Sequence, residues 1–176
     1  MIHDWKNDRT GSALRGGNPT VPRRPDAGFA AIGDAQFLPG YSVLLVDEPE
    51  VQHLSELPKT ERPAFLSDPD RLGEAVERAR RRADPAFRRV NPDLLGNTDG
   101  FLHAHVWPRD EWEPGELVGV PVRLYPQDRW SDVRFALGPQ HDALRAAIGE
   151  ELDRSSPEGR QTIGPAAPGA PVTGEV

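Results

Sequence analysis

Apolar residues in this chain come in short blocks whose spacing switches between two periods. Phe29-Ala30-Ala31-Ile32 is an apolar block closed by turn-forming Gly33-Asp34, the pattern of a short strand. Tyr41-Ser42-Val43-Leu44-Leu45-Val46, entered through Pro39-Gly40, is the most continuous apolar run and predicts a strand central in a sheet. After Pro49 the pattern turns helical in two pieces, broken at Pro58 and Pro63. In the second piece Asp68 is the expected cap, Pro69 fits the first helical position, and Leu72, Val76, Ala79 and Ala83 share one face. Glu74/Arg78 and Glu77/Arg81 are spaced as i,i+4 pairs. Arg80, Arg81 and Arg82 fall where the helix dipole favours cations, so the arginine run reads as a solvated helix end.

Residues 87–91 predict a third strand and 102–107 a fourth, separated by a polar Gly/Asn/Asp loop over 92–100. The order strand, strand, helix, strand, strand predicts an α+β domain with an antiparallel sheet and a helix on one face. Beyond Pro108 the chain becomes irregular, with Trp112, Tyr125 and Trp130 as expected anchors of a wrap. Residues 140–152 predict a last helix with Leu144, Ile148 and Leu152 in register. The expected organisation is an N-terminal arm over 1–26 with a short helix near 12–15, a core domain over 27–110, a wrap and helix over 111–154, and a disordered Pro/Gly/Ala/Ser-rich tail over 155–176.

Composition narrows the function more than the fold. The 176 residues suit one domain, and 36% hydrophobic content with a mean hydropathy of −0.61 places part of the length outside a core. A formal charge of −7 argues against a nucleic-acid backbone or an anionic membrane surface as partner. The absence of cysteine excludes disulfides, thiolate zinc sites, iron–sulfur clusters and cysteine nucleophiles. The start lacks the apolar core of a signal peptide and no run approaches the ~20 apolar residues of a membrane span, so a cytoplasmic location is expected.

The chemistry concentrates in the fourth strand, where His103 and His105 stand two apart and leave the same face. Three readings of that pair are open. Both imidazoles can be core side chains satisfied by backbone carbonyls. They can be metal ligands completed by Asp110 or Glu111 in a cupin-like site. Or one can be a nucleophile: a neutral imidazole attacks phosphorus to give a phosphoramidate, while the other hydrogen-bonds the phosphate oxygens.

Phe101-Leu102-His103-Ala104-His105-Val106-Trp107-Pro108-Arg109 resembles the signature of the histidine triad (HIT) family, His-φ-His-φ-His-φ-φ, often closed by Pro-Arg. Alignment on the last four residues puts His103 on the second signature histidine and His105 on the third, with Phe101 where the family has its first. Upstream, Pro39-Gly40-Tyr41-Ser42-Val43-Leu44-Leu45-Val46, Pro49 and His53-Leu54-Ser55-Glu56-Leu57 are similar to the family's Pro-Gly-His-x-Leu-Val strand and following helix start. Tyr41 stands at the histidine of that pattern. The resemblance spans roughly residues 10–110 and implies a HIT-like antiparallel sheet of about five strands with a long helix packed on one face.

It also implies a nucleotide hydrolase or nucleotidyl transferase cleaving at an α-phosphate through a nucleotidyl-His103 intermediate, with His105 on the phosphate oxygens. The substrate would be a small-molecule nucleotide of the dinucleoside polyphosphate or nucleoside phosphoramidate type. Asn97, Thr98 and Arg109 would supply further phosphate contacts, and Asp34, one place from the family's sugar-binding position at Gly33, would take the ribose hydroxyls. No metal or other cofactor is implied, and the chain would pair as a homodimer. The alternative in the same family is a nucleotide-binding module that lost turnover with the change at Phe101.

Overall fold

The structure, a computed structural model, describes residues 5–96 and 99–155. Four strands form one antiparallel sheet: β1 (Gly28–Ile32), β2 (Ser42–Val46), β3 (Phe87–Leu94) and β4 (His103–Asp110), in the spatial order β1-β2-β4-β3. The sheet has four strands among the described residues rather than about five. β2 is interior, as its continuous apolar run predicts, because Leu44 and Val46 face one side while Val43 and Leu45 face the other. β4 is interior over its first half, pairing with β2 from His103 to Val106 and with β3 along its length. Pro108 is tolerated in β4 because β2 pairs no further than Val106, so no neighbour on that side asks for its missing N–H. Pro92 sits in β3, an edge strand.

One face of the sheet is covered by α2 (Arg62–Ala83). Phe65, Leu72, Ala75, Val76 and Ala79 bury against Ala30, Leu44, Val46, Ala104 and Val106, forming the main core. The helix begins earlier than its prolines suggest, at Arg62 with Pro63 in the first turn, and Pro69 lies inside it. Asp68 is therefore not its cap. That carboxylate is fully buried and accepts the Ala27 N–H at 2.7 Å, tying the helix to the start of β1. The hydrogen bond forfeited at Pro69 is offset by the apolar face on either side of it.

The arginine run also departs from its expected role. Arg81 pairs with Glu77 at the surface, but Arg80 is 4% exposed and donates to Asp110 Oδ1 at 2.6 Å. Arg82 reaches Glu151 of the last helix at 2.5 Å. That helix, α5 (Asp142–Ser155), follows two short ones, α3 (Gly115–Val118) and α4 (Gln127–Ser131), and is preceded by α1 (Arg9–Leu14) at the chain's other end. Ile148 and Leu152 of α5 enter the main core beside α2.

The segment between β4 and α5 packs over the opposite face. Tyr125 is buried and Trp130 packs on Phe37 with ring centroids 4.8 Å apart, whereas Trp112 is 46% exposed and anchors nothing of the core. Ala35 bridges to Ala136, and the Leu137 N–H donates to the Asp34 carbonyl at 2.8 Å, so the segment clamps the β1–β2 loop. The expected helix near 12–15 is α1, capped by Asp8, whose carboxylate accepts the Gly11 N–H at 3.0 Å. Ser155 closes α5, and the rest of the expected tail lies outside the described residues. No helix among them is long and apolar enough to cross a membrane.

The completely buried Phe65 stands in the first turn of α2, on the half of the helix that precedes Pro69. Phe65→Ala should cost about 3–5 kcal/mol in unfolding free energy by urea denaturation. A loss below about 1 kcal/mol would mean that this half of α2 does not pack as described.

Candidate active site

Alternation along β4 separates structure from chemistry. Ala104 and Val106 point to α2, and Asp110 on the same side meets Arg80. His103, His105 and Trp107 take the other face, beside Val43 and Leu45 of β2. There the two histidines line a cavity of about 250 Å³ with Ala31, Tyr41, Phe101 and Trp130 and the charged Arg9, Asp34 and Asp99.

His103 is 5% exposed, and its Nδ1 lies 2.8 Å from the Phe101 carbonyl oxygen. A carbonyl only accepts, so this contact puts a ring proton on Nδ1, and the lone pair of the neutral form of the ring then belongs to Nε2. The partner is backbone, so this bond does not depend on the side chain at 101. The Phe101 ring instead packs beside the imidazole, centroids 4.9 Å apart at 47°.

The two imidazoles meet edge to face, with centroids 4.8 Å apart at 83°. His105 lies parallel to Trp107 at 4.8 Å, and its Nδ1 is 2.8 Å from the Tyr41 hydroxyl. Burial, reinforced by the neighbouring His103, pushes the His105 pKa down to about 4, so the ring is neutral at pH 7. Burial pushes the Tyr41 phenol upward, so it keeps its proton. Tyr41 stacks on Trp107 at 4.1 Å and 11°. Gly33 makes room for it: a Cβ there would lie 2.2 Å from Tyr41 Cδ1. Gly40, with φ of +89°, turns the chain into β2 just before it.

Of the other residues expected at the site, Asp34 does line the cavity, but its carboxylate is held by Arg9 through two hydrogen bonds of 3.1 and 2.7 Å. Arg9 was not foreseen: the helix of the arm was expected near 12–15, and the Asp8 cap, the local signal that starts it at Arg9, was not read. Trp130 was foreseen as an anchor and turns out to line the cavity as well. Arg109 is not brought to the histidines. It is 3% exposed, donating to Glu113 at 2.8 and 3.0 Å, to the Tyr125 hydroxyl at 2.7 Å and to the Leu117 and Val118 carbonyls.

Asn97 and Thr98 lie outside the described residues. Neither carboxylate of the cupin-like reading joins the histidines: Asp110 is on the opposite face, and Glu111 is exposed beyond the end of β4. Among the described residues, no group of three or more His, Asp or Glu is placed to hold a metal ion.

This arrangement, a four-stranded antiparallel sheet with one helix-covered face and a His-x-His pair on the other, is similar to that of solved histidine triad proteins. Solved structures of that class match the chain throughout most of their length. A histidine triad protein from Marinobacter aquaeolei superposes with a TM-score of 0.59 at 17% identity, covering 77% of this chain and 90% of that one. One from Sinorhizobium meliloti gives 0.58 at 19%, covering 74% and 87%. A hypothetical histidine triad nucleotide-binding protein from Sulfolobus tokodaii gives 0.53 at 14%, covering 82% and 91%. No protein-family model and no curated protein sequence matches the chain. The chain is HIT-like in fold, and at these identities the likeness is one of fold alone.

The depressed His105 pKa has a testable sign. The unfolded chain takes up a proton near the ordinary 6.5 and the folded one near 4, so the stability due to neutral His105 is complete above pH 6.5 and is lost as pH falls towards 4. The loss should be about 3 kcal/mol, read as the difference in pH slope between wild type and His105→Asn in denaturant titrations. Ring-proton NMR should place the folded midpoint well below 6.5; a midpoint near 6.5 would contradict the burial of this ring.

Proposed function

We propose that this protein is a nucleotide hydrolase or nucleotidyl transferase that acts through a covalent nucleotidyl-His103 intermediate. The observation that carries the reading is the His103 tautomer: with Nδ1 bonded to the Phe101 carbonyl, Nε2 keeps a lone pair in a cavity shared with a neutral imidazole. In the first step Nε2 attacks the α-phosphorus in line, forming a P–N bond as the bond to the leaving group breaks with its electron pair. The imidazolium so formed keeps its Nδ1 proton on the Phe101 carbonyl. In the second step water, or another acceptor hydroxyl, attacks the same phosphorus, loses its proton and returns the electron pair to Nε2. The leaving group takes up one proton, and the enzyme is regenerated.

His105 would act on charge in both steps. As a neutral ring with its proton on Nε2 it donates to a non-bridging oxygen as negative charge builds. A permanently placed dipole of this kind needs no reorganisation during the reaction.

Arg9 is the one Lys or Arg among the described residues that line the cavity, beside the carboxylates of Asp34 and Asp99. In this reading the ribose hydroxyls take Asp34, and the displaced guanidinium turns to the phosphate as a charge-assisted donor. The mainly apolar remainder, from Ala31, Val43, Leu45 and Phe101, suits the flat face of a base. The description of one structural neighbour as nucleotide-binding supports the same ligand class.

His103→Asn should lower release of mononucleotide from a nucleoside phosphoramidate or dinucleoside polyphosphate by ~10³-fold or more, while calorimetry shows mononucleotide affinity retained within about threefold. Arg9→Ala should raise KM roughly tenfold with a smaller change in kcat. Nucleotide binding without release of mononucleotide from either substrate class by wild type would replace the enzyme with the binding module.

A further inference from the structure

We infer that Tyr41 is a positioning residue for His105: its hydroxyl donates to Nδ1 and fixes the tautomer in which Nε2–H faces the cavity and the bound phosphoryl group. The inference rests on the proposed function in giving His105 a phosphoryl ligand, but the tautomer itself can be read without any turnover.

The phosphoryl oxygens of a bound nucleotide accept hydrogen bonds and donate none at neutral pH, so a neutral His105 serves them only with its proton on Nε2. That choice leaves a lone pair on Nδ1, in a buried place where an unsatisfied acceptor is costly. The Tyr41 hydroxyl, 2.8 Å away, is the donor that answers it. Among the described residues it makes no other hydrogen bond, so its proton is not drawn elsewhere.

The phenol is held to this task from several sides. Its ring lies flat on Trp107, meets Trp130 edge-on at 6.5 Å and 88°, and fits against Gly33 where no Cβ could stand. The loop that carries it is closed by Gln36, whose amide donates to the Gly33 and Tyr41 carbonyls at 2.8 and 2.9 Å and whose Oε1 accepts the Gly40 N–H at 2.9 Å. Trp107 also parallels His105, so one indole sets the height of both partners of the bond.

A tyrosine is a particular choice of partner. A carboxylate at this place would draw the proton to Nδ1 and favour an imidazolium; a phenol stays neutral across the working range and leaves His105 a neutral donor. The titratable or charged groups around the pair are His103 on β4, Arg9 on α1, Asp34 after β1 and Asp99 before β4. None of them is hydrogen-bonded to His105 Nδ1, so the assignment of its proton falls to Tyr41.

The test is nitrogen-15 NMR of histidine-labelled protein, alone and with AMP, for wild type and Tyr41→Phe, combined with steady-state kinetics. Wild-type His105 should show a lone-pair Nδ1 and a protonated Nε2; Tyr41→Phe, which keeps the stacked ring, should show a mixture of tautomers. Its kcat should fall roughly tenfold to hundredfold with KM changed by less than about threefold, the signature of a group felt in the transition state. Wild-type His105 carrying its proton on Nδ1 would overturn the inference without any variant. So would Tyr41→Phe with an unchanged tautomer and unchanged kcat. If wild type turns over no nucleotide, the proposed function falls, and the tautomer comparison alone then decides the role of Tyr41.

Discussion

β4 is packed on both sides, and its period of two decides what each residue along it can be. Ala104 and Val106 must be apolar and compact because α2 lies over them; Asp110, on the same side, survives burial because Arg80 neutralises it. The residues between them face the second layer, where the cavity opens. Shifting the register by one residue would drive both imidazoles into the helix interface and expose the core, so the main apolar core and the site are specified together. The site inherits its rigidity from this constraint: His103 is held by a backbone carbonyl at its own strand's entrance, and His105 by a tyrosine at the entrance of the neighbouring strand.

The second layer is built from parts far apart in the chain. The segment after β4 returns to clamp the β1–β2 loop through Ala136 and Leu137, which fixes Gly33, Asp34 and Tyr41 around the cavity. Arg109 serves this layer rather than the cavity. With Glu113 and Tyr125 it forms a buried knot that ties the end of β4 to the segment it leads into. The N-terminal arm contributes Arg9, setting a cation against the two carboxylates of a cavity in an otherwise acidic protein.

What could be read from the sequence was whatever depends on near neighbours. The apolar runs at residues 29–32 and 41–46, the i,i+2 histidines and the apolar stripe of α2 are local patterns, and each corresponds to an element of the fold. What could not be read depends on partners distant in sequence. Arg80 is like its neighbours Arg81 and Arg82 until Asp110, thirty residues on, is brought beneath it. Pro69 and Pro63 both satisfy the rule for a helix start, and only the burial of Phe65 between them selects the earlier one. Arg109 sits at a position expected to meet phosphate, and Glu113 with Tyr125 claims it instead. Phe101 has no imidazole to offer, yet the contact that orients His103 comes from its backbone, which every residue has.

The central claim is that His103 Nε2 becomes covalently bonded to the phosphorus of a nucleotide. It is tested most directly by mixing the protein with a nucleoside phosphoramidate, quenching in alkali within the first turnovers and mapping the adduct by mass spectrometry. The account predicts one nucleotidyl group on the peptide holding His103, lost on brief acid treatment and absent from His103→Gly. Turnover with no adduct on His103, or an adduct on another residue that persists in His103→Gly, would contradict it.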